Sequence, residues 1–132
     1  VAYYDFSNGA LKYAKRQSDA TWDVQIVDDA TDTGFYPHLR FDPFSGRKYI
    51  FYHAAGENQL KLAFRQPNFP DWIPGLSVVG GAAGTRPRFV IDPATGRFTL
   101  AFYDQRGGDL LATANSAFPI VNRAQDTWKA YN

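Results

Sequence analysis

The sequence predicts an all-β protein, and three of its features lead to that prediction. Aromatic residues make up 17% of the 132 positions, and aromatic and β-branched side chains fit a pleated sheet better than a helix. Short alternating segments are separated by Gly, Pro and Asp, which favour turns. The same pattern also returns about every fifty residues, which indicates a repeated structural unit.

The repeat is visible in three signatures. Residues 34–47 recur as residues 84–97, and identical residues lie at a spacing of 50, at Gly34/Gly84, Pro37/Pro87, Asp42/Asp92, Pro43/Pro93, Gly46/Gly96 and Arg47/Arg97. An aromatic pair followed by a Leu-containing segment occurs three times, at Tyr3-Tyr4-Asp5, Phe51-Tyr52-His53 and Phe102-Tyr103-Asp104. Tryptophan recurs at Trp22, Trp72 and Trp128. We interpret the chain as three copies of one unit.

Each unit is predicted to form up to four antiparallel strands, a to d. In the middle unit these strands fall at residues 36–41, 48–52, 60–65 and 72–79. The turn from Asp42 to Gly46 joins strands a and b, because Asp can bond its own backbone and Gly accepts a left-handed conformation. Strand d contains Pro74 and Gly75, which indicates a sheet edge. The first unit has no segment that matches strand a.

The three signatures together resemble a bacterial β-propeller repeat of the form Y-Y-D…N-G-x-L-K-Y-A…W…G-x-x-P-x-L…D-P-x-[ST]-G. This resemblance covers essentially the whole chain and implies a single repeat domain, residues 1–132, of three propeller blades at residues 1–33 (partial), 34–83 and 84–132. A more distant similarity is to sialidase and lectin propellers. Residues 18–22 lie where sialidases carry an Asp-box, but the glycine and the spacing of that motif are missing.

Three blades are too few to close a ring, since propellers usually contain about 4 to 8. The exposed blade faces and strand edges would then pair with other chains. We expect either a homo-oligomer or a propeller whose remaining blades lie in another polypeptide. The absence of Met indicates a processed chain or a segment of a longer one.

Composition and motifs argue against several functions. Fourteen basic and thirteen acidic residues leave a net charge of +1, which does not indicate a nucleic-acid partner. No apolar run approaches the length of a membrane span, and no nucleophile motif, metal-ligand cluster or cofactor motif is present, so we predict no catalytic residue, metal or cofactor. A metal site would require His38 to meet Asp32, or His53 to meet Asp5, across blades. We expect a bacterial-like extracellular or periplasmic location.

Binding is the predicted function, with a glycan or a protein surface as the ligand. The connections from d to a and from b to c should gather on one face, where the candidate ligand-binding residues are Arg86, Arg88, Tyr36, His38, His53, Asp5 and Asp104. Aromatic rings can stack on the apolar face of a sugar while charged groups bond its hydroxyls. Arg86 and Arg88 are the strongest candidates, because two like charges near the start of one inner strand call for an anion or a carboxylate.

Two other functions remain open. A glycoside hydrolase would use a carboxylate pair, with Asp5 and Asp104 at equivalent places and His53 replacing the acid in the middle blade. A repeated Asp after Tyr is, however, more typical of a turn cap. A structural assembly subunit is the other alternative. Whatever the function, the paired aromatic residues of the repeat are expected to fill the spaces between blades, and each Trp to pack under its strand d; these aromatic residues are Tyr3, Tyr4, Phe51, Tyr52, Phe102 and Tyr103.

Overall fold

The structure, a computed structural model, describes residues 1–78, 84–115 and 129–131. These residues contain no helix and form strands at β1 (Ala2–Asp5), β2 (Ala10–Arg16), β3 (Trp22–Asp28), β4 (Thr33–Phe41), β5 (Lys48–Ala54), β6 (Gln59–Arg65), β7 (Ile73–Ser77), β8 (Gly84–Ile91), β9 (Phe98–Asp104), β10 (Asp109–Asn115) and β11 (Lys129–Tyr131). The prediction of an all-β protein is confirmed.

The strands form three separate antiparallel sheets. Sheet 1 has the order β1-β2-β3, sheet 2 the order β4-β5-β6-β7, and sheet 3 the order β8-β9-β10-β11. Within each sheet, strands that are consecutive along the chain therefore lie side by side. Sheet 1 has no described strand before β1, as the sequence predicted, and β7 with Pro74 and Gly75 lies at the edge of sheet 2.

Two matching turns join the first two strands of sheets 2 and 3. The carboxylate of Asp42 accepts a hydrogen bond from the Phe44 N–H at 2.9 Å, and that of Asp92 accepts one from the Ala94 N–H at 2.9 Å. Gly46 and Gly96 close these turns with left-handed φ angles of 72° and 68°. We call the end of the sheets that carries these turns the lower end, and the opposite end the upper end.

At the upper end, four-residue turns follow β1, β5 and β9, and they correct one detail of the sequence alignment. The strand pairs that flank the turns are Asp5 with Ala10, Ala54 with Gln59, and Asp104 with Asp109. The residue of sheet 2 that corresponds to Asp5 and Asp104 is therefore Ala54, and not His53. The aromatic signature had shifted this alignment by one residue, because the pair Phe51-Tyr52 lies one residue further from its turn than Tyr3-Tyr4 and Phe102-Tyr103 do.

The sheets pack face to face in chain order, with sheet 2 in the middle. Alternate residues of β5 point to opposite sides, which gives sheet 2 two apolar faces. Ile50 and Tyr52 belong to a buried cluster with Leu11, Tyr13 and other residues of sheet 1. Tyr49 and Phe51 belong to a second cluster, whose partners on sheet 3 are Phe89, Phe98, Leu100 and Phe102.

The aromatic residues divide between these interfaces and the surface. Phe51, Tyr52 and Phe102 are almost fully buried, as predicted for side chains that fill the space between neighbouring units. Trp72 is also buried, and its ring lies 5.2 Å from that of Tyr13. The prediction was wrong for Trp22, which is 54% exposed, and for Tyr103, which is 44% exposed, because the described residues place no further sheet against the faces that carry them. Trp128 lies outside the described residues.

Candidate ligand-binding site

The first strands of sheets 2 and 3 each carry a bulge near the upper end. The pairing of β4 with β5 shifts register between Phe35 and His38, and that of β8 with β9 shifts between Thr85 and Arg88. Within the bulges, Tyr36 and Arg86 have φ angles of 51° and 53°. Such angles are uncommon for residues other than glycine and cluster at functional sites. Since a bulge changes where a side chain points, both side chains are directed out of the regular sheet.

The Tyr36 and Arg86 side chains meet across the two sheets. The guanidinium carbon of Arg86 lies 5.4 Å from the centre of the Tyr36 ring, which is within the range of a cation–π contact. Tyr36 is 46% exposed, and Arg86 is also exposed. The pair therefore joins a ring face and a positive charge at a surface that a ligand can reach.

A row of aromatic rings extends from this pair across to sheet 1. Tyr36 is tilted against Phe35 with ring centres 6.4 Å apart, and Phe35 stacks on Tyr4 at 4.0 Å. Phe6, which is 87% exposed, lies edge-on to Tyr4 at 6.4 Å. We call Phe6, Tyr4, Phe35 and Tyr36 the aromatic row. It runs along the upper end and finishes at Arg86.

A hydrogen bond connects the Tyr4 end of the aromatic row to Asp32. The Tyr4 hydroxyl donates to Oδ1 of Asp32 at 3.3 Å, and burial, followed by the negative charge of Asp32, raises the pKa of Tyr4. The Asp32 carbonyl accepts the N–H of Ala55 at 2.8 Å. Asp32 thus connects the row on sheet 1 to the upper turn of sheet 2.

His38 lies between sheets 2 and 3 rather than at the open surface. Its Nδ1 accepts the Phe89 N–H at 3.0 Å, and its ring contacts the Phe89 ring edge-on at 5.1 Å. Burial, with smaller effects from Arg40 and Arg88, lowers the pKa of His38 to about 4. The ring is therefore neutral at pH 7, with its proton on Nε2.

This histidine makes stability depend on pH. Between pH 6.5 and about 4 the unfolded chain binds a proton that folded His38 does not bind, so the free energy of unfolding falls as the pH is lowered. We expect a loss of roughly 1–2 kcal/mol from His38 between pH 7.5 and 4.5, after a reduction for partial exposure. Urea unfolding at the two pH values measures it. The His38→Gln variant keeps an acceptor but does not titrate, so its loss should be smaller. An equal loss in both proteins would contradict this assignment.

His53 is a second connection between the same sheets. The ring is buried, and its Nδ1 lies 3.0 Å from the carbonyl oxygen of Gly84. Burial lowers the pKa of His53. The structure therefore places this predicted ligand-binding residue inside an interface of the chain itself.

Asp5 and Asp104 form caps of the upper turns. Asp5 accepts the Ser7 N–H at 3.1 Å, and Asp104 accepts the Arg106 N–H at 3.0 Å. Asp5 also pairs with Lys12 at 2.6 Å. Hydrogen bonds from Lys12 and Asn8 lower the pKa of Asp5 to about 2, so this carboxylate is ionised at neutral pH and is poorly suited to the role of a general acid.

Arg88 is separated from Arg86 by the bulge in β8, since regular alternation would place these two residues on the same face. It pairs with Ala101 of β9, on the face of sheet 3 that points away from sheet 2, and its guanidinium donates to the Pro87 carbonyl at 2.8 Å. The corresponding residue of sheet 2 is His38, which contacts the next sheet. Arg88 is exposed because the described residues provide no sheet on that side.

Of the seven candidates from the sequence, the structure brings Tyr36 and Arg86 into direct contact. The other three members of the aromatic row were missed because Tyr4 was interpreted as packing and because Phe6 and Phe35 lie outside the repeated identities. The signal in the sequence that could have indicated the row was Phe6, an aromatic residue in a turn. In the described part of the chain, no group of three or more His, Asp or Glu side chains is arranged to hold a metal ion.

The chain matches no family model, no curated protein and no solved structure. What the fold defines is an all-β protein of three face-to-face antiparallel sheets, with an aromatic row and an arginine at one end. None of the described residues forms a helix long and apolar enough to cross a membrane.

Proposed function

We propose that this protein is a non-catalytic binding module that recognises a carbohydrate at its upper end. The observation that carries the proposal is the aromatic row, which ends at the Tyr36–Arg86 pair. Sugar rings have apolar faces that pack on aromatic rings, while their hydroxyls accept hydrogen bonds from guanidinium groups. An exposed row of rings beside one arginine offers both kinds of contact.

Electrostatics support an oxygen-rich ligand. Arg86 forms no ion pair with a described carboxylate, and the ion pairs Lys12–Asp5 and Lys61–Glu57 involve other residues. Its cation is therefore available to a ligand hydroxyl or carboxylate. The low pKa of Asp5 and the capping roles of Asp5 and Asp104 favour binding over glycoside hydrolysis at these residues.

The same surface would suit a protein ligand, because exposed aromatic and arginine side chains are enriched in protein interfaces. Phe6, at the outer end of the row, is the residue whose exposure most favours this second candidate. The two ligands differ in what they require. A sugar needs only the row and Arg86, whereas a protein also needs a wide contact area around them.

The proposal includes a propeller arrangement and an extracellular or periplasmic location. Face-to-face packing of sheets in chain order, with a buried cluster at each interface, supports stacked blades. Other chains then complete the ring, as further copies of this chain or as the remaining blades of a larger propeller.

We expect the Tyr36→Ala and Arg86→Ala variants each to weaken glycan binding at least tenfold, because each loses one type of ligand contact. Wild type and variants are compared on a glycan array, and the best oligosaccharide is then titrated by calorimetry. Phe69→Ala and Arg97→Ala remove an exposed ring and an exposed cation near the lower end and should bind as wild type does. Equal weakening by the control variants, or no binding to any glycan, would reject the proposal.

A further inference from the structure

The outer face of sheet 3, which points away from sheet 2, carries exposed apolar side chains. Tyr103 and Leu110 pair across β9 and β10 on this face, with 44% and 51% of their surface exposed. Val90 of β8 is also exposed. Side chains of this size are ordinarily buried, so a cluster of them on one sheet face indicates a contact surface.

The corresponding face of sheet 2 shows what covers such a surface. The pair of residues in sheet 2 that matches Tyr103 and Leu110 is His53 and Leu60, and both are buried against sheet 3. Leu11, the counterpart of Leu110 in sheet 1, is likewise buried against the next sheet.

The outer face of sheet 1, which points away from sheet 2, also carries exposed apolar side chains. Trp22, Val24 and Ile26 alternate along β3 and therefore lie on the same face. All three side chains are exposed. Trp72 is the counterpart of Trp22 in sheet 2. It is buried on Tyr13 of the preceding sheet, with ring centres 5.2 Å apart.

We propose that the outer face of sheet 3 docks on the outer face of sheet 1 of a second copy of this chain, in the same way as sheet 1 docks on sheet 2. This inference rests on the stacked arrangement in the proposed function. Trp22 of one copy then covers Ala112 of the other, because Ala112 occupies the position of Tyr13 as the fourth residue of its strand. The small side chains of Ala101 and Ala112, which pair on that face, leave space for the indole.

Because the two faces that meet are different, the contact is head to tail, and we expect the ring of sheets to close with two copies. Contacts between two different faces form rings when the rotation closes. Two copies, each with three sheets, supply a number within the propeller range of about 4 to 8, whereas three copies exceed it. A closed pair buries both apolar faces of each copy.

The test uses one charged substitution on each face. Trp22→Glu alters sheet 1, Leu110→Glu alters sheet 3, and Phe69→Glu is the control at an exposed ring on neither face. Light scattering after size exclusion, over a hundredfold range of concentration, is expected to give wild type and control a mass of twice 14.8 kDa. Each face variant should dissociate at concentrations at least tenfold higher than wild type.

Mixing identifies the head-to-tail arrangement. In a 1:1 mixture, the intact sheet 3 of the Trp22→Glu variant meets the intact sheet 1 of the Leu110→Glu variant, so a mixed pair should form at concentrations where each variant alone is monomeric. Native mass spectrometry resolves that pair. A monomeric wild type, a series of masses without a limit, or a pair that survives either single substitution would overturn the inference. These readouts do not involve Tyr36 or Arg86, so a failure here is distinct from a failure of ligand binding.

Discussion

Replacement of Gly34 with Ala is expected to destabilise the protein by about 3–5 kcal/mol, the sum of backbone strain and overpacking. Gly34 begins the bulged part of β4 with φ of 107°, a conformation that side chains disfavour. An added Cβ would lie 2.7 Å from Cα and 2.8 Å from Cβ of Leu11. Leu11 is fully buried between sheets 1 and 2, so neither strand can move without opening the interface.

Urea unfolding measures this loss, and Gly75→Ala is the matched control. Gly75 has φ of 76°, but nothing lies within 4 Å of its added Cβ. The control therefore contains the conformational strain without the clash and should lose only about 1 kcal/mol. If the two variants lost equal stability, the close approach of β4 to Leu11 would be contradicted.

The Tyr52→Phe variant is expected to lose about 2–3 kcal/mol of stability, because it breaks a buried hydrogen bond to a charged group. The Tyr52 hydroxyl donates to Oδ2 of Asp28 at 2.5 Å and accepts the Gly75 N–H at 2.9 Å. Burial, followed by the hydrogen bond to Asp28, raises the pKa of Tyr52. Removal of the hydroxyl leaves the buried Asp28 carboxylate, which belongs to sheet 1, without its strongest donor.

Thermal or urea unfolding detects the effect, with Tyr4→Phe as the control. The Tyr4 hydroxyl bonds Asp32 at an exposed site and at 3.3 Å, so its removal should have a much smaller effect. A double variant with Asp28→Asn should show that the two substitutions are not additive. Additive losses would mean that the hydroxyl and the carboxylate stabilise the protein separately.

Much of the fold was predictable from local sequence patterns. Asp42 and Gly46 encode their turn directly, because an Asp side chain that bonds its own backbone and a left-handed glycine leave few other conformations. The same applies to the alternation that buries Phe51 on one face and Tyr52 on the other. These features depend on residues close together in sequence.

The site was less predictable because it depends on contacts between sheets. The bulge that turns Tyr36 toward Arg86 is a register shift, which depends on the partner strand rather than on β4 alone. The partners of His38 and His53 lie on sheet 3, 51 and 31 residues away along the chain. The sequence placed both histidines on a ligand face, whereas the packing of sheet 3 puts them inside the chain.

NMR locates the bound carbohydrate on the protein directly. Backbone amide shifts of the 132-residue chain are followed while the best oligosaccharide from the array is added. Binding at the aromatic row predicts that the largest changes occur at Phe6, at Phe35 and Tyr36, and at Arg86, all at the upper end. Changes confined to the lower-end turns at residues 42–46 and 92–96 would contradict it.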